Sequence, residues 1–83
     1  MSWDDVGFIK SSRHRKDIMK LLNTKSLTPT EISTELNTHV SQVTRTLLEL
    51  EKRDLIKCLT PSLRKGRLYS ITEKGKKSLN KRY

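Results

Sequence analysis

The sequence predicts an α+β domain that is mostly α: a three-helix core, then a β-hairpin and a short C-terminal helix, with residues 1–83 forming one unit. Three observations lead there. A strong helix-start signal at Thr28 opens a pair of helical periodicities that runs to Arg53. Beyond Leu55 the apolar spacing changes from three and four residues to two. Only 33% of the 83 residues are hydrophobic, which suits helices around one centre better than a large sheet, and a chain of this length buries only about 60% of its unfolded surface.

Residues 1–10 carry Trp3, Val6, Phe8 and Ile9, an apolar density that predicts a segment packed down on the core, with no helix assigned to it. Ser11 and Ser12 are alternative N-caps for a first helix running to about Asn23, with Ile18, Leu21 and Leu22 inward and Arg13, Arg15, Lys16 and Lys20 largely outward. Leu27 stands where a hydrophobic staple would face Ile32. Thr28 then serves as N-cap, Pro29 takes the first helical position, and Glu31 follows three residues after the cap. Ile32 and Leu36 mark the inner face of this second helix. Asn37 and Thr38 break the pattern, and Val40, Val43, Leu47 and Leu50 mark the inner face of a third helix over 39–53. Two helices joined by so short a turn form a helix-turn-helix, whose second helix can enter the major groove of DNA.

Residues 55–59 (LIKCL) read as a strand stopped by Pro61 and Ser62. A second strand over 67–71 sets Leu68 and Ser70 on one side against Arg67, Tyr69 and Ile71 on the other, and Lys65-Gly66 supplies the turn between them. Thr72 caps a last helix with Glu73 in its first turn and Leu79 as its one clear apolar anchor, and residues 80–83 fray.

Charge is distributed unevenly. Lys and Arg number 18 against 9 Asp and Glu, a net of +9 that favours a polyanionic partner. Residues 1–27 carry a net +3, residues 28–56 a net −2 and residues 57–83 a net +8, so the excess gathers on the hairpin and the last helix. On the helix over 39–53, Ser41, Gln42, Arg45 and Glu49 fall away from Val43, Leu47 and Leu50 at about 100° per residue. Gln42 suits adenine, and Arg45 suits guanine or phosphate. Glu49 is read as lying outside the groove or orienting Arg45 one turn earlier.

Other chemistries find little support. His14 and His39 are isolated, without the spacing of a metal site, so no metal or cofactor is expected. The single cysteine, Cys58, reads as a small half-buried hydrophobe of a reducing compartment. With no phosphate loop, nucleophile elbow or paired carboxylates, the chain is not expected to be an enzyme. No apolar run approaches the roughly 20 residues of a membrane span and no signal region opens the chain, so a cytoplasmic location is expected.

The segments LTPTEISTELN, VSQVTRTLLELEKRDLIK and RKGRLYSITEKGK are similar to the winged helix-turn-helix transcription regulators related to the MarR and ArsR groups, especially their short archaeal members. The similarity spans residues 11–79 and rests on a combination: a third helix ending Leu-x-x-Leu, a Leu-Ile strand, a Lys-Gly-Arg wing, then Tyr-x-Ile-Thr-x-x-Gly. It implies a winged helix with double-stranded DNA as partner, helix 39–53 in the major groove and wing 60–67 on the backbone or minor groove. By the same resemblance Ser41, Gln42, Thr44 and Arg45 occupy base-reading positions, and Arg64, Lys65 and Arg67 the wing. Thr28, Thr30, Thr38, His39 and Arg13 are candidates for flanking contacts. The long dimerising helices and metal-ligand clusters of effector-sensing relatives have no counterpart in these residues. A homodimer would draw on Trp3, Phe8 and the last helix. The alternative is a winged helix that docks protein partners in a larger assembly. Such a module should expose an apolar patch on helix 39–53 or the wing, and the sequence suggests none beyond Trp3 and Phe8. RNA binding is less favoured, since exposed aromatic platforms for unstacked bases are missing.

Overall fold

The computed structural model describes residues 3–80 in the order α1 (Trp3–Lys10), α2 (Arg13–Thr24), α3 (Pro29–Leu36), α4 (Val40–Lys52), β1 (Ile56–Cys58), β2 (Tyr69–Ile71) and α5 (Glu73–Asn80). The architecture is the expected α+β winged helix: α2, α3 and α4 around one core, with a two-stranded antiparallel hairpin after them. The packing expected of the Trp3 side chain and the fraying expected of residues 81–83 lie outside what is described. Asn80, expected in the frayed tail, is the last residue of α5.

The N-terminal segment packs down as predicted, but as a helix. Asp4 and Asp5 in its first turn and Lys10 in its last match the helix dipole, while Gly7 in the middle obscures the periodicity. Val6 and Ile9 are buried. Asp5 is also buried, and two cations compensate it: Arg53 Nη1 at 3.4 Å and Lys74 Nζ at 3.3 Å. One carboxylate thereby ties α1 to the end of α4 and to α5.

Ser12 is the cap chosen for α2, its hydroxyl accepting from Arg15 N at 3.3 Å. The start of α3 is a complete capping box: Glu31 N donates to Thr28 Oγ1 at 3.2 Å, and Thr28 N donates to Glu31 Oε1 at 2.9 Å. Asn37 ends α3 in the left-handed conformation with φ of 54°, a role suited to asparagine. Leu27 and Ile32 both enter the core, as a staple requires. Leu27 does more than that, since it exchanges two backbone hydrogen bonds with Tyr69, at 3.1 and 2.9 Å, and so adds a rung to the hairpin.

The hairpin pairs Ile56 with Ile71, Lys57 with Ser70 and Cys58 with Tyr69. Its strands are shorter than the predicted 55–59 and 67–71: Leu55 and Leu59 fall outside β1, and Arg67 and Leu68, both tied into the loop, fall outside β2. Thr60 Oγ1 accepts from Leu68 N at 3.0 Å, and Gly66 turns the chain at φ of 67°.

The anchor of α5 is also different from the prediction. Leu79 is only half-buried, and the helix presents Gly75 and Ser78 to the core. Thr72 caps it, accepting from Gly75 N at 3.0 Å, and donates its own proton to Asp54 O at 2.8 Å. A methyl group on Gly75 would overlap the Leu55 carbonyl oxygen and lie 2.8 Å from Ile71 Cγ1. The Thr-x-x-Gly sequence therefore records a close approach of helix to backbone. Gly75→Ala should destabilise the fold by about 2 kcal/mol through overpacking, seen as a fall of about 10 °C in melting temperature for a domain this small. An unchanged melting temperature would contradict the close approach.

Candidate nucleic-acid interface

The interface begins with how α4 is seated. Val43, Thr46, Leu47 and Leu50 form its buried stripe. Val40, expected in that stripe, is 46% exposed, and Thr46 takes the inward place. Thr46 donates to Gln42 O at 3.1 Å, so its oxygen accepts from His14 Nδ1 of α2 at 2.9 Å. Glu49 does not orient Arg45; it pairs with Arg15 of α2 at 3.6 Å. Arg15 also donates to Phe8 O at 3.0 Å and stacks 3.8 Å from the Phe8 ring centroid, while Arg53 stacks 4.0 Å from the same centroid. Two guanidinium groups this close must occupy opposite faces of the ring. Phe8 is therefore half-buried, with the two guanidinium groups covering its ring.

With its rotation settled, α4 presents Ser41, Arg45 and Leu48 near the centre of its outward face, with Thr44 and Gln42 to either side; all five are exposed. Thr44 turns its hydroxyl back to Val40 O at 2.9 Å. Sequence reasoning missed Leu48, which is 49% exposed. It also missed the wider consequence: apolar side chains do stand open on α4 (Val40, Leu48) and on the wing (Leu59, Leu63). Counting around the helix axis from Val43 and Leu50 places Leu48 outward, a signal hidden by its neighbour Leu47, which is buried.

A groove of about 490 Å³ runs between Pro29 and Thr30 of α3, Thr44 and Leu48 of α4, and the wing from Arg64 to Arg67. It brings the base-reading candidate Thr44 and all three wing cations to one place. Arg64 and Lys65 are exposed. Arg67 is committed differently: its Nε donates to Leu63 O and its Nη2 to Pro61 O, both at 2.9 Å, bracing the loop from within. Burial pushes the nearby Tyr69 phenol above its ordinary 10.0, and the charge of Glu51 adds to this.

The flanking candidates separate. Thr30 is exposed on the groove wall. Thr28 holds its oxygen in the capping box, where the Glu31 carboxylate already offsets the positive end of α3. Thr28, first through its backbone N–H and then through its side chain, holds the Glu31 carboxyl below its usual 4.5. His39 is exposed at the N-cap of α4 and makes no side-chain cap bond. Thr38 turns its hydroxyl inward, where it is buried without a partner, so the structure does not bring it to the interface. Arg13 lies on α2, 3.8 Å from Asp17 of its own helix.

Among the described residues no group of three or more His, Cys, Asp or Glu side chains is placed to hold a metal ion, and no helix is long and apolar enough to cross a membrane. A family model described as winged helix-turn-helix matches residues 15–83. No curated protein matches the chain.

Two outcomes follow from this geometry. In an NMR titration the Glu31 carboxyl should have its midpoint below 4.5. Because the folded value is lowered, the capping contribution is complete above the unfolded value and fades as pH falls through the folded one. A midpoint at or above the ordinary value would dissolve the box. Arg67→Lys should speed amide exchange across residues 60–67 with little change in melting temperature, because lysine cannot span both carbonyls; unchanged exchange would show that the brace is dispensable.

Proposed function

Because the chain belongs to the winged helix-turn-helix family, we propose that it binds double-stranded DNA sequence-specifically and regulates transcription. Helix α4 lies in the major groove and wing 60–67 on the flanking backbone or minor groove. The observation that carries the reading is the shared groove: Thr44 and Leu48 from the outward side of α4 line one wall, and wing cations from the third of the chain with a net +8 line the other. Ser41, Gln42, Thr44 and Arg45 read base edges, with Arg45 bidentate to guanine and Gln42 to adenine. Arg64 and Lys65 neutralise phosphates, and Arg67 sets the shape of the loop that carries them. His39 and Thr30 lie where flanking contacts fall. The similarity to MarR- and ArsR-related regulators of archaeal type supports a cytoplasmic, non-enzymatic DNA-binding domain, working alone or as a homodimer.

A second reading, docking of protein partners, is favoured by the exposure of Val40, Leu48, Leu59 and Leu63. Fluorescence anisotropy against duplex DNA, duplex RNA and single strands at low and near-physiological salt separates the two. Duplex DNA should bind at micromolar level with steep salt dependence, and absence of binding to any nucleic acid at low salt would leave the docking module in first place. Arg45→Ala should cost about 1 to 3 kcal/mol on the preferred sequence and relax sequence choice. Lys65→Ala should weaken all sequences alike and flatten the salt slope by about 0.9 for each phosphate left without its cation. Equal losses on preferred and scrambled duplexes for both variants would refute that division of roles.

A further inference from the structure

We propose that Leu48, together with the methyl group of Thr44, reads the 5-methyl group of thymine. The inference rests on the DNA-binding reading and adds a specificity residue and a base to it. Ser41, Thr44, Arg45 and Leu48 stand at positions i, i+3, i+4 and i+7 of α4, a spacing that keeps all four on one face through two turns. This face is half apolar in practice. Thr44 has committed its only proton to Val40 O, so what it retains to offer is a methyl group and a weak acceptor. Leu48, 49% exposed, offers hydrocarbon alone.

Along the major-groove edges donors and acceptors alternate with small C–H groups, and thymine alone adds a projecting apolar group, its 5-methyl. A leucine pressed against any other edge would strip water from polar atoms and return no hydrogen bond. Against a thymine it buries methyl on methyl. Charge favours the same occupant, because Leu48 shares its groove with Arg64 and Lys65, which suit a polyanion. Arg45 and Leu48 are about 4.5 Å apart along the helix axis at 1.5 Å per residue, close to one base-pair step of about 3.4 Å. The preferred sequence therefore carries a thymine within a step or two of the base that Arg45 contacts.

The test starts from the duplex that the intact chain selects from a random pool. Each thymine of that duplex is replaced singly by uracil, which removes the methyl group and leaves the pairing unchanged. Dissociation constants are then measured for the intact chain and for Leu48→Ala. At least one replacement should weaken the intact chain about three- to fivefold, the factor expected for one buried methyl group, while Leu48→Ala binds the thymine and uracil duplexes equally. The proposal is overturned if the selected site lacks thymine, if every uracil duplex binds like its parent, or if Leu48→Ala shows the same loss. Failure to select any sequence would instead overturn the DNA-reading function and this inference with it. The uracil comparison on the intact chain needs no variant, so it stands whatever the folding of Leu48→Ala.

Discussion

Everything outward about α4 depends on how its inward stripe is held. Val43, Leu47 and Leu50 set the depth of the helix in the core, but apolar contacts alone tolerate some rotation about the axis. Two polar links to α2 remove that freedom, the His14 to Thr46 hydrogen bond and the Arg15 to Glu49 ion pair. Behind these stands the Phe8 ring, held between Arg15 and Arg53. For the proposed reading of a DNA groove, a face defined before contact matters, because side chains and helices ordered only on binding cost entropy.

Cations are divided between structure and surface. Arg15, Arg53 and Lys74 are engaged by carboxylates or carbonyls of the fold, and Arg67 by the carbonyls of its own loop. Arg45 lies open on the outward face of α4 beside Leu48, and Arg64 and Lys65 lie open on the groove that Leu48 also lines. A large net charge is therefore a poor guide to the strength of a phosphate clamp, since part of it is neutralised inside the molecule. The N-terminal helix is central to that inner set although it precedes residue 15, where the family match begins. Its Asp5 draws in two cations that would otherwise repel each other near the end of α4.

Much of the fold is legible in the sequence because local signals agree with the global arrangement. The Thr28, Pro29, Glu31 start, the Asn37 stop and the Gly66 turn each have a specific backbone requirement that few other residues meet. What local signals do not show has its cause in tertiary structure. The helix at Trp3–Lys10 is stabilised by ion pairs to residues some 50 and 70 positions away, and no periodicity within it reveals them. Thr46 is buried because a histidine on another helix meets it. At the candidate site, residue types on the polar side of α4 can be read directly. Glu49 and Arg67 cannot, because a charged side chain that is spent within the fold looks in sequence like one left free. Leu48 misleads for the opposite reason: hydrophobicity implies burial only on average.

The rung between Leu27 and Tyr69 also has a mechanical side. It joins the strand that follows the loop to the residue immediately before the cap of α3, so the base of the wing and the start of the helix pair are one piece of backbone. Swinging the whole hairpin away would break these two hydrogen bonds and pull Tyr69 from the core. The loop beyond Leu59 and Leu68 is the part that can flex without such losses. The wing then resembles a short tether on a fixed post: in the proposed complex its reach toward a bent or straight duplex is set by the length of the loop and the Arg67 brace, and a duplex shape that the tether cannot span would itself have to deform to be held.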